Sequence, residues 1–104
     1  MKSLSVTELK EKLDDGTSLT LIDVREPNEL AMASLEAAVH VPIMSIPNSI
    51  HEFDKEKPIA VLCHSGMRSA QVCLYLDRFG FDTYNIEGGI HAWSLEVDPS
   101  VPTY

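Results

Sequence analysis

Ile59-Ala60-Val61-Leu62-Cys63-His64-Ser65-Gly66-Met67-Arg68-Ser69 is the stretch on which the reading of this chain turns. A short apolar run ends on a cysteine, a glycine-containing turn follows, and a helical pattern begins. A cysteine at the mouth of such a turn faces backbone N–H groups and the positive end of a helix, and both favour thiolate over thiol. Residues 64–69 carry six successive N–H groups, none from proline, and Gly66 supplies the positive-φ freedom that lets them converge. Their concavity suits an anion: a thiolate, a persulfide, or an oxyanion attached to one. Thiol pKa values in such settings fall to roughly 3.5–7.5, so the sulfur needs no adjacent base. The competing reading is an inert buried cysteine at a strand end. The glycine turn and the immediate helix weigh against it.

Outward from this stretch, short apolar runs alternate with helical patterns. Ser5-Val6-Thr7-Glu8 has the form of a capping box and opens a helix with Val6, Leu9 and Leu13 on one stripe, ended by Asp14-Asp15-Gly16. Leu19–Val24 reads as a strand, Asn28–Met32 as a short helix after Glu26-Pro27, and Val39–Val41 as a second strand. Residues 43–51 suggest a helical turn or two interrupted at Pro47, and Ile59–Leu62 is the third strand. Arg68–Phe79 carries Val72, Tyr75, Leu76 and Phe79 at helical spacing with further apolar positions between, which predicts a mostly buried helix stopped at Gly80. Thr83–Ile86 is a fourth strand, Gly88-Gly89 a turn, Ile90–Leu95 a last helix, and the tail 98–104 is extended. Such alternation argues for an α/β fold, a parallel sheet with helices on both faces, and residues 1–104 form one domain. In such sheets the site lies at the carboxyl ends of the strands, where Asp23-Val24-Arg25 and Cys63 both fall.

Composition narrows the classes. A net charge of −8 argues against nucleic acid as partner. No apolar run approaches the ~20 residues of a membrane span, and the first residues lack a signal-peptide pattern, so a cytoplasmic protein is expected. Two cysteines ten positions apart, Cys63 and Cys73, make neither a zinc pattern nor a disulfide framework. Four histidines show no metal-ligand spacing, so no metal site is expected.

Four segments resemble the rhodanese family in its single-domain form: Leu21-Ile22-Asp23-Val24-Arg25-Glu26-Pro27 with Glu29, Ala38-Val39-His40-Val41-Pro42, the loop Cys63–Ala70, and Gly80-Phe81 with Asn85–Trp93. The resemblance implies a rhodanese-like parallel sheet and a cysteine, here Cys63, that carries sulfane sulfur within a loop completed by His64, Ser65, Gly66, Met67 and Arg68. Loop length separates two chemistries on this fold. Cys63 to Arg68 is C-x4-R, whereas related phosphatases use C-x5-R for a wider phosphate cradle. The shorter loop fits sulfur. The stretch Ser34–Ala38 departs from the His-Ile and Pro-Gly usual in the family, so the loop between the first two strands is expected to differ in shape.

The implied mechanism is a two-step displacement through a Cys63 persulfide, from a thiosulfate-like donor to a thiol or cyanide acceptor, and it requires no metal or organic cofactor. Arg68 either holds a donor sulfonate or makes a structural salt bridge. His64-Ser65 lies between the basic pairs that accompany thiosulfate preference and the small neutral ones that accompany mercaptopyruvate. Asp23 and Arg25 match the family's Asp-x-Arg segment and read as an ion pair anchoring the strand edge rather than as direct substrate contacts, with Ser69 in support, and Glu26 and Glu29 as solvated or capping the following helix. Cys73 and Trp93 read as core. The second function is a sulfur carrier served by a cysteine desulfurase, for which the tail Val97–Tyr104 speaks, since it resembles rhodanese domains fused to adenylylating enzymes. A non-catalytic binding module and a phosphatase or arsenate reductase are the remaining alternatives.

Overall fold

Five short strands form one parallel sheet in the computed structural model, which describes residues 1–104. The elements run β1 (Lys2–Leu4), α1 (Val6–Asp14), β2 (Thr20–Asp23), α2 (Pro27–Met32), β3 (Val39–His40), α3 (Ile46–Ser49), β4 (Ile59–Leu62), α4 (Met67–Asp77), β5 (Thr83–Ile86) and α5 (Gly89–Glu96). The spatial order is β1-β5-β4-β2-β3. The expected α/β architecture is therefore the observed one. β4 lies at the centre, and all four of its residues are buried, as a strand covered on both faces requires.

Alternation along β4 divides the core in two. Ile59, Val61 and Cys63 point to one face, where Ile22, Val24, Ile46, Val72, Cys73, Leu76 and Phe81 complete an apolar cluster beneath α3 and α4. Ala60 and Leu62 point to the other, packed with Leu4, Leu9, Leu21, Ile86, Ile90 and Trp93 beneath α1 and α5. Each fully buried aliphatic side chain contributes about 1.5–3 kcal/mol relative to exposure. Register then sets the site. Asp23 stands opposite Leu62, and the Val24 amide donates to the Leu62 carbonyl at 3.0 Å, so β2 and β4 leave the sheet side by side.

Several sequence expectations need correction. The N-terminal residues do not simply lead into α1: Lys2–Leu4 forms an edge strand in register with Tyr84, Asn85 and Ile86. With only Leu4 buried, this strand is too short to show an apolar pattern, and pairing with β5 creates it. Pro47 does not interrupt a helix but sits in the first turn of α3, where its missing N–H costs nothing. The long helix begins at Met67, ends at Asp77 and is buried on one face only, since Leu74 is 57% exposed; Phe79 lies beyond its end and is 45% exposed. The tail is not simply extended: it turns where the Val101 amide donates to the Asp98 carbonyl (3.1 Å), and Val101 and Tyr104 then pack on the second cluster. The capping box is as read: Ser5 Oγ accepts from the Glu8 amide (3.1 Å), and Glu8 Oε1 accepts from the Ser5 amide (2.9 Å).

Candidate active site

Cys63 follows the last residue of β4 and is 1% exposed, yet it is not sealed among apolar atoms alone. Gly66, at φ +106°, turns the chain so that its amide donates to Cys63 Sγ at 3.1 Å, and the Ser69 amide in the first turn of α4 reaches Sγ at 3.4 Å. Two of the six amides expected to surround the sulfur thus bond it directly. Ser69 Oγ lies 3.2 Å from Sγ and donates its proton to Asn85 Oδ1 at 2.5 Å, while Asn85 Nδ2 donates to the Gly66 carbonyl at 3.1 Å. Burial by itself pushes the Cys63 thiol up. The Ser69 hydroxyl beside it and the N–H groups of Ser69, Gly66 and Ser65 act the other way, and the thiol is held below its ordinary range.

The far side of the loop is fixed through its main chain. The Ile90 amide donates to the Cys63 carbonyl (2.9 Å) and the His91 amide to the His64 carbonyl (3.1 Å), so two of the free N–H groups opening α5 are satisfied by the loop itself. That approach is why Gly89 carries no side chain. A Cβ there would overlap the carbonyl oxygens of Cys63 and His64.

Arg68 is the loop's cation, and it is engaged. Its Nη1 and Nη2 donate to Glu29 Oε1 and Oε2 at 2.6 and 2.8 Å, the bidentate geometry in which guanidinium and carboxylate pair best. Of the two readings of Arg68, the geometry is that of the salt bridge. Glu29 is correspondingly not a solvated side chain. It caps α2 by accepting from the Glu26 amide (3.0 Å), and the Arg68 guanidinium holds its carboxyl at about 2, against the opposing effect of burial.

Asp23 and Arg25 form the expected ion pair. Arg25 Nη2 meets Asp23 Oδ2 at 2.6 Å and Nε meets Oδ1 at 2.9 Å, with Arg25 fully buried. The guanidinium also donates to the Ala33 carbonyl (2.9 Å) and the Tyr104 hydroxyl (2.9 Å), which ties the end of β2 to α2 and to the tail. Neither residue hydrogen-bonds the sulfur. Burial pushes the Arg25 pKa down, but its partnership with Asp23 and Tyr104 leaves it raised.

His64 is half-buried, stacked on the Tyr104 ring (centroids 4.2 Å apart, 14° between planes) and edge-on to His91 at 5.9 Å. Ser65 and Met67 are exposed at the rim. Cys73 belongs to the core, where burial pushes its thiol up to about 11. No group of three or more His, Cys, Asp or Glu side chains is placed to hold a metal ion, and no helix is long and apolar enough to cross a membrane.

Comparison with known proteins agrees with this geometry. The model of the Rhodanese-like domain family matches residues 5–96. The chain belongs to the rhodanese-like family. It is 46% identical to "Putative sulfurtransferase YtwF" of Bacillus subtilis over 95% of this chain and 96% of that protein. It is also 36% identical to "Sulfurtransferase" of Allochromatium vinosum, over 89% and 88%. A rhodanese-like domain protein from Staphylococcus aureus superposes with TM-score 0.86 at 36% identity, covering 100% of this chain and 99% of its own. Both relatives of similar length are named for sulfur transfer, which is the coarse activity supported for this rhodanese-like chain.

Three residues of the site escaped the reading of the sequence as participants: Asn85, Tyr104 and, in its pairing with Arg68, Glu29. For Asn85 a signal existed. Thr83 and Asn85 are polar residues at alternate, inward positions of an otherwise apolar strand.

Proposed function

We propose that this protein is a sulfurtransferase that moves sulfane sulfur from thiosulfate or a similar small donor to a thiophilic acceptor through a Cys63 persulfide. The observation that carries the proposal is the pair of main-chain N–H groups, from Gly66 and Ser69, aimed at a thiol held below its usual range. In the first step the Cys63 thiolate attacks the outer sulfur of thiosulfate. A new S–S bond forms, the donor's S–S bond breaks, and sulfite leaves with the bonding pair. The terminal sulfur of the persulfide carries the negative charge, and the loop His64–Arg68 offers it hydrogen-bond donors. In the second step cyanide attacks that sulfur and leaves as thiocyanate, or a thiolate attacks and becomes a persulfide. Cys63 returns as thiolate, and protons and electrons balance without a cofactor. Such chemistry fits a reducing compartment such as the cytoplasm, and both cysteines are free.

The test is mass spectrometry of protein incubated with thiosulfate. The peptide containing Cys63 should gain the mass of one sulfur atom, and Cys63→Ser should lose both the gain and thiocyanate production while melting like the parent. Retained turnover in Cys63→Ser, or no adduct with any sulfane donor, would refute the mechanism.

A second reading, acceptance of sulfur from a protein such as a cysteine desulfurase, is favoured by one observation. Glu29 occupies both ends of the Arg68 guanidinium, leaving that cation little to offer the sulfonate of thiosulfate. Comparing turnover on thiosulfate with sulfur uptake from a desulfurase separates the two.

A further inference from the structure

The last residues of the chain end on the site, and nothing in the reaction just described uses them. Two prolines, Pro99 and Pro102, restrict the tail, Ser94 Oγ reaches the Pro102 carbonyl at 3.5 Å, and Val101 is packed in the second cluster. Tyr104 is thereby delivered to the loop. Its ring lies parallel to the His64 imidazole, one residue from the nucleophile, at 4.2 Å. Its hydroxyl donates to Glu29 Oε2 at 2.8 Å and accepts from Arg25 Nη1 at 2.9 Å. Glu29 in turn spans the Arg68 guanidinium. One side chain thus touches the residue after the nucleophile, the carboxylate that grips the last loop residue, and the guanidinium that anchors β2.

We propose that Tyr104 is a positioning residue for sulfur transfer: its ring fixes the His64 imidazole beside Cys63, and its hydroxyl holds Glu29 in place to clamp Arg68 across the loop. The inference rests on the reading of Cys63 as the sulfur-bearing nucleophile. The physical reason is orientation. His64 is a rim side chain with a free χ1 and χ2, and the Tyr104 ring gives it a flat face on one side while His91 meets its edge on the other. The hydroxyl is the only side-chain donor to the Glu29 carboxylate other than Arg68, so it limits rotation of the carboxylate about the bidentate pair. Small misplacements of groups around a reacting atom cost disproportionately in rate.

The experiment uses the full chain with Tyr104→Phe, Tyr104→Leu, His64→Ala and the double variant Tyr104→Leu/His64→Ala. Steady-state transfer to cyanide is measured with thiosulfate and with glutathione persulfide as donors, alongside the thermal midpoint. Tyr104→Leu should raise donor KM about fivefold and lower kcat about threefold. Tyr104→Phe keeps the ring, so its KM should return to within about twofold of the parent while kcat stays reduced. The double variant should have the KM of His64→Ala alone, because the ring acts through His64. A merely structural role would lower kcat in proportion to the unfolded fraction and leave KM alone. That pattern overturns the inference, as does a folded Tyr104→Leu with parental KM and kcat. Should Tyr104→Leu fail to fold, a Tyr104→Phe variant indistinguishable from the parent in kcat overturns the clamp. A parent that takes sulfur from neither donor overturns the proposed function and this inference together; a competent parent with unaltered variants overturns this inference alone.

Discussion

Substitution of Ser69 by alanine tests which groups hold the Cys63 thiol below its ordinary range. The hydroxyl lies 3.2 Å from Sγ, and a hydrogen bond to a charged group contributes about 1.5–3 kcal/mol. Were that proton given wholly to the thiolate, its removal would raise the thiol by about one to two pKa units. The hydroxyl has one proton, however, and it is donated to Asn85 Oδ1 at 2.5 Å. Asn85 cannot turn its amide to accommodate a change, because its Nδ2 is committed to the Gly66 carbonyl. Rotating the hydroxyl to sulfur would leave Oδ1 an unsatisfied acceptor, at a cost of about 1–3 kcal/mol, which offsets the gain. Ser69→Ala should therefore raise the Cys63 midpoint by less than about half a unit, with the Gly66 and Ser69 amides carrying the shift. Asn85→Ala releases the proton and should lower the midpoint. The assay is the pH dependence of iodoacetamide alkylation, read peptide by peptide so that Cys73, with its thiol pushed up to about 11, serves as internal reference. A rise of more than about one and a half units in Ser69→Ala would refute the main-chain account.

Three further outcomes follow from the same contacts. Because Arg68 holds the Glu29 carboxyl at about 2 against an unfolded value near 4.5, its share of stability is complete above pH 4.5 and is lost as pH falls toward 2. Arg68 is 34% exposed, which reduces that share to about 1–2 kcal/mol, and urea titrations of the parent and Glu29→Gln should converge by that amount across this window. Arg25→Ala leaves Asp23 buried without its partner and should cost about 3–5 kcal/mol in chemical denaturation, a loss below 1 kcal/mol contradicting the burial argument. Gly89→Ala, at φ +58° and against the Cys63 and His64 carbonyls, should cost about 2 kcal/mol or more and abolish the sulfur adduct; a parental melting point with an intact adduct would show that the loop can shift freely.

What was legible in the sequence follows from the range of the interactions involved. β4 and the turn after it were readable because an apolar run, a cysteine and a glycine are neighbours in the chain, and their consequences are local. The Asp23–Arg25 pair was readable for the same reason, its members being two residues apart. Glu29 was read as solvated or capping; it caps α2, and its pairing with Arg68 was missed, since that pairing exists only because β2 and β4 leave the sheet adjacent. β1 was missed because its pattern lies in the partner strand, and Tyr104 because no local rule announces a stack on His64. The mostly buried helix was misjudged by counting apolar residues. Leu74 lies on the outer face of α4 and Phe79 beyond its end, and helical periodicity rather than content decides burial.

Charge and distance together suggest how the loop selects what it accepts. The chain carries −8, and its loop arginine is neutralised by Glu29, so the long-range field does not draw anions toward Cys63. The groups that do favour negative charge there are amide N–H dipoles, whose influence falls off within a few ångströms of Sγ. Such a site stabilises an anion formed within it far better than it captures one from solution. On the proposed mechanism a thiolate and a persulfide are generated in place and gain the full benefit, whereas a dianionic donor must first approach a like-charged protein. Raising the ionic strength should therefore speed the first step with thiosulfate by screening that repulsion, and leave uptake from an uncharged sulfane donor unchanged.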